Sequence, residues 1–467
     1  MRRHLFLILI ALVLLTACMP AGPTSLPSPT DTPTPLPSRT AAPTSLSSPT
    51  VTLTPVPDVL YVDPGMELGP ISPYVYGSNY GPWTAVPAGK MEDALQSHVT
   101  TLRYPGGEWG DSNDVQTYHL DAFLNLCKQM GAIPTISVRL LGGTPEAAAE
   151  LVRYANIEQG YKIRYWSIGN EPDLYEGRPN VDYDTARFNQ EWRAIAVAMK
   201  AVDPTILFLG PELHGTYTSN FATNPKDTAG RDWMIEFLKA NGDMTDIVTY
   251  HRYPFPLSNY ADNATIGDLR QDLPEWTRTV RYLRDLIRET TGRELPIAVT
   301  EASSHYTPAS QGEGTPDSFY NAIWWADVLG RLIDENIFMV NQWLLTNASG
   351  QSGGWGLVTI SGVRPTYYVY QMYSHFGNEQ VYASSGVAEV TVYAAKREDG
   401  TLTILVINLS DTEQHIPLQV RGVALSRAEV WLFDATHNAE DLGQQSFSLD
   451  GALVLPAQSI TLYAIGK

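Results

Sequence analysis

"YWSIGNEPDLY", residues 165–175, begins as an apolar, β-prone run and ends in an amide, a carboxylate and a proline. The interior of a strand disfavours Asn and Glu, and proline has no N–H to give to a ladder. One interpretation is a simple turn. The other is that the strand holds Glu171 at its carboxyl end for a functional purpose.

Eight β-rich runs alternate with helical patterns along residues 72–378. The runs span residues 72–80, 99–107, 132–139, 162–172, 205–213, 246–254, 295–303 and 337–345. Apolar residues at helical spacing separate them, as at Phe188, Trp192, Ile195 and Met199. Eight such units predict an α/β fold, a (β/α)8 TIM barrel whose functional residues lie at the carboxyl ends of the strands. An open doubly wound sheet is the alternative, but no G-x-G-x-x-G turn follows the first strand.

The sequence pattern changes after the predicted barrel, from alternating strands and helices to strands alone. Residues 379–467 contain short alternating strands separated by turn residues, which predicts a C-terminal antiparallel β-sandwich. We expect residues 58–71 to add a strand to it. The sandwich is expected to brace the barrel, and a separate carbohydrate-binding role is the alternative.

The N-terminal residues have the character of a targeting segment. Residues 1–17 combine two arginines with an apolar run too short to span a bilayer, which predicts a signal peptide. The ending Leu-Thr-Ala-Cys resembles the bacterial lipobox, which implies a protein lipid-anchored through Cys18 on the extracellular face of a bacterial cell. An ordinary secretory signal is the alternative. Residues 18–57 are rich in Pro, Ser and Thr and are expected to form an extended tether.

The composition narrows the range of partners. A net charge of -19 argues against nucleic acid or an anionic membrane surface as a partner. Two cysteines cannot build a disulfide framework or a Cys/His metal cluster, and we expect no metal and no other cofactor. The 11 Trp and 25 Tyr favour a carbohydrate partner, because flat rings stack on sugars.

Polar and aromatic residues stand at the carboxyl ends of the predicted strands. They are Arg103 on the second strand, Asn170 and Glu171 on the fourth, His251 and Tyr253 on the sixth, Glu301 on the seventh and Trp343 on the eighth. Strands four and seven can place two carboxyl groups opposite each other across the barrel mouth. Cleavage of a glycoside needs one carboxylic acid and one carboxylate, so this pair predicts a glycosidase.

Five motifs extend the pattern to a known group of enzymes. "GNEP" and "TEAS" at strands four and seven, with "LRYPGG", "YHRYP" and the Trp of strand eight, resemble the retaining glycoside hydrolases of clan A over residues 70–378. The added β-sandwich is similar to the β-xylosidase, xyloglucan-active endoglucanase, α-L-arabinofuranosidase and β-glucuronidase/heparanase branches, which are families 39, 44, 51 and 79.

The resemblance implies a role for each residue of the motifs. It makes Glu171 the acid/base and Glu301 the nucleophile, with their carboxyl groups about 5–5.5 Å apart, as retention requires. Arg103 is expected beside Glu301, where a cation favours the ionised form. For Glu171, which must hold its proton, we expect a less cationic and partly desolvated setting.

The remaining implied roles concern the sugar. The resemblance gives Asn170 a hydrogen bond to the sugar 2-hydroxyl and makes Trp343 the platform under the ring. Tyr253 is expected to donate to Glu301, and His251 to line the site.

Five further residues lie near the predicted mouth, and each has two interpretations. Glu212, in "GPELHG", either touches substrate or caps a loop. Glu108, Trp109 and Asp111 follow "YPGG" and either shape a subsite or are ordinary loop residues. Trp83 either stacks on a sugar or covers the core.

Other functions remain as alternatives. A metal-dependent hydrolase would want paired His ligands on the first strand, and no H-x-H occurs there. A tethered non-catalytic carbohydrate-binding protein and a transglycosylase stay open. The expected substrate is an extracellular polysaccharide or oligosaccharide, with sugar and linkage undetermined. Cations in 139–143 and 175–180 favour an acidic sugar, unless they are solvated loop charges.

Overall fold

The computed structural model describes most of the chain beyond the predicted tether. The described residues are 55–215, 218–220, 222–256, 263–347, 350, 352–447 and 452–466. The predicted signal peptide, Cys18 and nearly all of the predicted tether lie outside them. Among the described residues we find no helix with the length and apolar character that a bilayer crossing needs.

Eight parallel strands close into a barrel, each paired with the next in chain order and the last with the first. They follow β1 (Leu60–Pro70) and are β2 (Gly77–Asn79), β3 (Thr101–Tyr104), β4 (Ile133–Val138), β5 (Tyr165–Ile168), β6 (Leu207–Leu213), β7 (Ile247–Arg252), β8 (Ile297–Ala302) and β9 (Met339–Gln342). Every strand falls inside one of the eight predicted runs. The prediction of a (β/α)8 TIM barrel is confirmed.

The helices surround the barrel, and the longer ones bury apolar residues in its core. They are α1 (Met91–Leu95), α2 (Trp109–Ser112), α3 (Thr117–Met130), α4 (Pro145–Val152), α5 (Thr185–Val202), α6 (Trp233–Asn241), α7 (Ile266–Thr291), α8 (Phe319–Asp334) and α9 (Pro365–Ser374). The predicted stripe of α5 is buried throughout. Polar caps fix where the long helices begin, for example Asp184, whose carboxylate accepts from the Arg187 N–H before α5.

Nine strands form a second, curled sheet with a core of its own. After a short hairpin, β10 (Val358–Thr359) and β11 (Gly362–Val363), it contains β12 (Glu379–Ser385), β13 (Val390–Lys396), β14 (Leu402–Asn408), β15 (Gln414–Val420), β16 (Arg427–Phe433), β17 (Glu440–Ser446), β18 (Ala452–Leu455) and β19 (Ser459–Ile465). Strand β1 joins it between β12 and β15. Among the described residues, all pairings in this sheet are antiparallel except that of β1 with β15. The predicted C-terminal antiparallel β-sandwich domain is thus confirmed, in the form of one curled, antiparallel-rich sheet.

Helix α8 connects the two parts of the fold. Apolar residues of β14 and β19 belong to the same buried core as the barrel helices. Asp327 of α8 accepts hydrogen bonds of 2.6 Å from the hydroxyls of Thr391 and Tyr393. Gly330 lies one turn further, where a Cβ atom would stand 2.3 Å from the Tyr393 ring. The sheet is therefore packed tightly against helix α8 of the barrel.

Candidate active site

Glu301, near the end of β8, is surrounded by three hydrogen-bond donors. One carboxylate oxygen accepts from Arg103 Nη1 at 2.6 Å and from the Gly107 N–H at 2.7 Å. The other accepts from the Tyr253 hydroxyl at 2.8 Å. The residue is only 3 % exposed. These are the contacts that a buried carboxylate anion needs.

The two glycines of "YPGG" allow the backbone to reach this carboxylate. Gly107 has φ +66°, and a Cβ atom there would lie 2.6 Å from Trp343 Cη2. A Cβ atom on Gly106 would lie 2.7 Å from Asn79 Oδ1. The hydrogen bond from the Gly107 N–H to Glu301 could not be predicted from the sequence, since no side-chain pattern reports it.

Glu171 follows β5 in a left-handed backbone conformation, with φ 46°. Such a conformation is strained for a residue with a side chain and occurs most often at functional sites. Its N–H donates to the Glu212 carbonyl at 2.9 Å, and its side chain is 21 % exposed. The turn therefore directs the carboxyl group into the mouth while leaving it open to solvent.

His251, at the end of β7, is fully buried between three carboxyl groups. Its Nδ1 lies 2.9 Å from Glu171 Oε1 and 3.7 Å from Glu301 Oε2, and its Nε2 lies 3.0 Å from Glu212 Oε2. Burial alone would lower the pKa of His251, but the carboxylates of Glu301, Glu171 and Glu212 outweigh it and raise the pKa to about 10. As expected, Glu171 has a less cationic setting than Glu301: the His251 ring lies close to both carboxyl groups, but of the two, among the described residues, only Glu301 contacts an arginine.

Glu212, on β6, is completely buried and also has a left-handed backbone, with φ 62°. Its Oε2 accepts from the Thr300 hydroxyl and lies 3.4 Å from Arg103 Nη2. Burial would raise the pKa of Glu212, but Arg103 and His251 outweigh it and lower the pKa. Neither interpretation from sequence fits, because a side chain with no exposed surface neither meets a substrate nor caps a surface loop.

Arg103 connects the two sides of the mouth. Besides Glu301 it donates from Nη2 to Asn170 Oδ1 at 3.0 Å and from Nη1 to Asn79 Oδ1 at 3.1 Å. The Asn170 Nδ2 is buried and has no partner among the described residues. That amide is thus oriented by Arg103 with its donor left available for a ligand.

Two tryptophans lie together at the mouth. Trp83, after β2, stacks on Trp343 with ring centroids 6.0 Å apart and planes at 25°. Both are half-buried, so one pair of rings has an accessible surface. The structure brings Trp83 to Trp343 rather than leaving it over the core.

The segment after β3 divides into exposed and buried residues. Glu108 is exposed, and Trp109 packs edge-to-face on His119. Asp111 is buried and accepts from the Tyr175 hydroxyl and from Arg178. Burial raises the pKa of Asp111 to about 6 despite these donors.

The cations at the rim are already paired. Arg178 bonds Asp111 at 2.6 Å, while Arg139 donates to the Leu141 carbonyl at 2.8 Å and lies 3.6 Å from Asp114. Their charges are compensated within the protein, which favours the interpretation as structural loop charges over recognition of an acidic sugar.

One cluster has the spacing of a cation site. A ligand atom from each of Glu171, His251 and Glu301 lies within 4.8 Å of the others. These side chains already have partners within the protein: Arg103, Gly107 and Tyr253 donate to Glu301, and Glu212 contacts the far side of the His251 ring. We therefore do not assign these residues as metal ligands.

Comparisons with known proteins identify a family and a shared fold. Residues 150–422 match the family model described as glycosyl hydrolases family 39. No curated protein sequence matches the chain. Solved structures with the same fold include the bifunctional glucanase-xylanase CelM2 from a metagenome library, with a TM-score of 0.66, 19% identity, and coverage of 88% of this chain and 99% of that one.

Two further structures come from different glycosidase families. The GH51 α-L-arabinofuranosidase of Thermotoga petrophila has a TM-score of 0.67 and 19% identity, covering 87% of this chain and all of its own. The family 44 endoglucanase Cel44A of Clostridium thermocellum has a TM-score of 0.66 and 16% identity, covering 87% of this chain and 99% of its own. At these identities the structures show a shared fold.

Proposed function

This chain belongs to the glycosyl hydrolases of family 39, and from that premise we propose that it is a retaining glycosidase acting through Glu171 and Glu301. The family model covers more than half of the chain and includes both residues. Membership supports O-glycosyl hydrolysis. The mechanism and the substrate are inferred below from the residues.

The observation that carries the proposal is the short gap between the two carboxyl groups. An oxygen of Glu171 and an oxygen of Glu301 lie within 4.8 Å of each other. Retaining enzymes have carboxyl groups about 5–5.5 Å apart, whereas inverting enzymes need about 6.5–9.5 Å to hold a water between carboxylate and sugar. The gap supports direct attack by one carboxylate.

In the first step, Glu301 attacks the anomeric carbon and Glu171 gives its proton to the leaving oxygen. The glycosidic C–O bond breaks with its electron pair on that oxygen, and an ester forms to Glu301. Three donors hold Glu301 as an anion facing the mouth, while the more exposed Glu171 can exchange protons with solvent.

In the second step, Glu171 takes a proton from water. The water oxygen bonds to the anomeric carbon, and the ester electron pair returns to Glu301. Two inversions give net retention. The free Nδ2 donor of Asn170 is placed to hold a sugar hydroxyl, and the ring pair of Trp83 and Trp343 is suited to stack under the sugar.

We propose an extracellular polysaccharide or oligosaccharide as the substrate. The similar structures are a glucanase-xylanase, an arabinofuranosidase and an endoglucanase, which supports a plant or microbial glycan. The lipobox-like ending at Cys18 and the tether in 18–57 support anchoring on the bacterial cell surface. A lipid anchor would keep the barrel outside the cell, near such a polymer.

The test is the stereochemistry of the first product. The protein is incubated with a panel of aryl glycosides and polysaccharides, and the anomer formed by any cleaved substrate is followed by proton NMR. We expect the anomer of the substrate to appear first. Appearance of the opposite anomer would contradict the retaining mechanism, and tight binding of oligosaccharides without any cleavage would favour a carbohydrate-binding protein.

A further inference from the structure

The two carboxyl groups that exchange charge in the proposed reaction face the same ring nitrogen. His251 Nδ1 lies 2.9 Å from an oxygen of Glu171 and 3.7 Å from an oxygen of Glu301. During the first step Glu301 loses its negative charge to the ester, and Glu171 gains one when its proton leaves. From one position of the ring, a proton on Nδ1 can therefore hydrogen-bond the Glu171 anion and stabilise the Glu301 anion electrostatically.

We propose that Glu212 is a positioning residue that holds His251 in its doubly protonated form, so that the Nδ1–H serves Glu301 before glycosyl transfer and Glu171 after it. This inference rests on the proposed function, because the shared proton has a use only if charge passes between the two carboxyl groups. It assigns Glu212 a role through His251 and no contact with the sugar.

The geometry around Glu212 fixes one ring proton. Its Oε2 lies 3.0 Å from Nε2 and has no proton of its own to give, so Nε2 carries the hydrogen. The same oxygen accepts from the Thr300 hydroxyl, and Arg103 Nη2 stands 3.4 Å away. The left-handed backbone at residue 212 turns the side chain inward, where it has no exposed surface.

The second ring proton follows from the charge balance of the buried cluster. Before the reaction the cations Arg103 and His251 are matched by the anions Glu212 and Glu301, while Glu171 is protonated. After glycosyl transfer Glu301 is an uncharged ester, and Glu171 has become the second anion. The net charge of the cluster is zero in both states, whereas without the charge of Glu212 it would be +1 in both. An unmatched buried charge is strongly unfavourable, so the protonated ring needs Glu212.

Other titratable groups face the ring from the neighbouring strand ends, and none replaces this contact. They are Glu171 after β5, His214 after β6 and Glu301 of β8, with Arg103 of β3 and Tyr253 after β7 beside the carboxyl groups of Glu212 and Glu301. His214 is paired with Asp173 at 2.8 Å. The Tyr253 hydroxyl donates to Glu301. Within the described part of the chain, only Glu212 bonds the Nε2 side of the ring.

The experiment compares the intact protein with Glu212→Gln and, as a matched control, Glu335→Gln. Glu335 is also a buried, arginine-paired glutamate, but it contacts Arg281 and Arg284 at the outside of the barrel. Nitrogen-15 NMR of histidine-labelled protein reports the protonation of the His251 ring, with a His251→Gln sample to identify its signals among the nine histidines. The kcat/KM for a glycoside with a poor leaving group is measured at pH 5.5 and pH 8.

We expect a cationic His251 ring at pH 8 in the native protein and in Glu335→Gln, and a neutral ring in Glu212→Gln. In Glu212→Gln the bare Nδ1 then competes for the proton of Glu171. Its kcat/KM is expected to be lower than that of the native protein by about tenfold or more at pH 8 and to recover most of that loss at pH 5.5. A purely structural role would lower activity equally at both pH values.

Two results would overturn the inference. One is a neutral His251 ring at pH 8 in the native protein, which needs no variant at all. The other is a ring in Glu212→Gln that titrates as in the native protein. If Glu212→Gln does not fold, Glu212→Asp retains the charge and is expected to keep the cationic ring. A failure of the proposed function is separate, because it would appear as absence of glycoside cleavage by the native protein while the ring measurement still stands.

Discussion

Glu301 and Glu171 are the same residue type at opposite edges of the barrel mouth, and their surroundings differ throughout. Glu301 is almost completely buried and accepts from an arginine, a backbone N–H and a tyrosine hydroxyl. Glu171 is partly exposed, and its carboxyl group meets one histidine ring. Their neighbours alone give two identical side chains the different environments that the proposed nucleophile and the proposed acid need.

The contrast has a structural origin. The donors to Glu301 come from β3, the loop after it and the loop after β7, so they depend on closure of the whole barrel. Glu171 is set by a local left-handed turn at the end of β5 and by one contact to β7. The nucleophile side is thus specified by tertiary packing, and the acid side largely by the local backbone.

Removal of the Glu301 charge is the strongest test of this contrast. Glu301→Gln keeps the shape but cannot form the glycosyl ester, so we expect kcat/KM to fall about 10⁴-fold or more on every substrate that the native protein cleaves. Steady-state assays with aryl glycosides measure this, with Glu335→Gln as the control. A loss that is large for one leaving group and small for another would contradict the assignment, because the nucleophile is needed for all.

Glu171→Ala should show the opposite pattern. General acid catalysis contributes about 10²–10⁴-fold, and a leaving group that departs without a proton does not need it. We expect a large loss for poor leaving groups and a small loss in the first step for dinitrophenyl glycosides. Added azide should restore turnover and give a glycosyl azide of retained configuration. An equal loss for both classes of leaving group, or an inverted azide product, would refute the acid/base role.

Much of the barrel could be predicted because its signals are local. Each strand is a short β-rich run, each helix has an apolar stripe, and the parallel topology forces the carboxyl ends of the strands to meet. Arg103, Glu171, His251 and Glu301 lie together at the mouth for this reason alone. The second β domain was also predicted, from short strands of alternating residues separated by turn residues. That prediction included the strand contributed by residues before the barrel.

The features that sequence reasoning missed depend on how side chains turn after the strands end. Whether Glu212 faces solvent or the buried ring is decided by a left-handed backbone that "GPELHG" does not reveal. The pairing of Arg178 with Asp111 removes the cation that the rim sequence suggested. The cationic ring beside Glu171 arises from three carboxyl groups of different strands, which no local pattern encodes.

Gly107→Ala tests the backbone donor on the nucleophile side. The added Cβ atom would lie 2.6 Å from Trp343, and the left-handed φ of +66° is unfavourable for alanine, so the loop must move away from Glu301. Loss of one preorganised donor to a reacting group costs about 10²–10³-fold in kcat. We expect a loss of that size in assays of poor and good leaving groups alike.

Gly131→Ala is the matched control for this variant. Gly131 has nearly the same φ, +69°, but nothing lies within 4 Å of its added Cβ atom. It should lower the melting temperature without lowering kcat/KM. If both variants lower kcat/KM equally, the effect of Gly107→Ala is one of general stability, and the hydrogen bond to Glu301 has no special role.

Asp111→Asn is expected to have the smallest effect on activity, and it tests the residues that support Glu171. The Tyr175 hydroxyl donates to Asp111 and accepts from the Asn170 N–H. Asp111 therefore stabilises, through Tyr175, the turn that carries Asn170 and Glu171. Its carboxyl group does not face the reacting atoms. We expect kcat/KM to change less than about tenfold, as for a mutation outside the reacting groups.

The stability of the native protein relative to Asp111→Asn should instead depend on pH. Because burial raises the pKa of Asp111 from 3.8 to about 6, the folded protein binds its proton more tightly than the unfolded chain does. The free energy of unfolding contributed by this group is therefore highest below about pH 4 and is lost as pH rises through about 6. At about 1.4 kcal/mol per pH unit, the native protein should lose about 3 kcal/mol relative to Asp111→Asn across this window.

Urea unfolding of both proteins from pH 4 to pH 7 measures the difference. Parallel stability profiles would show that Arg178 and Tyr175 keep Asp111 ionised throughout, and that the acid side of the mouth is as strongly charged as the nucleophile side.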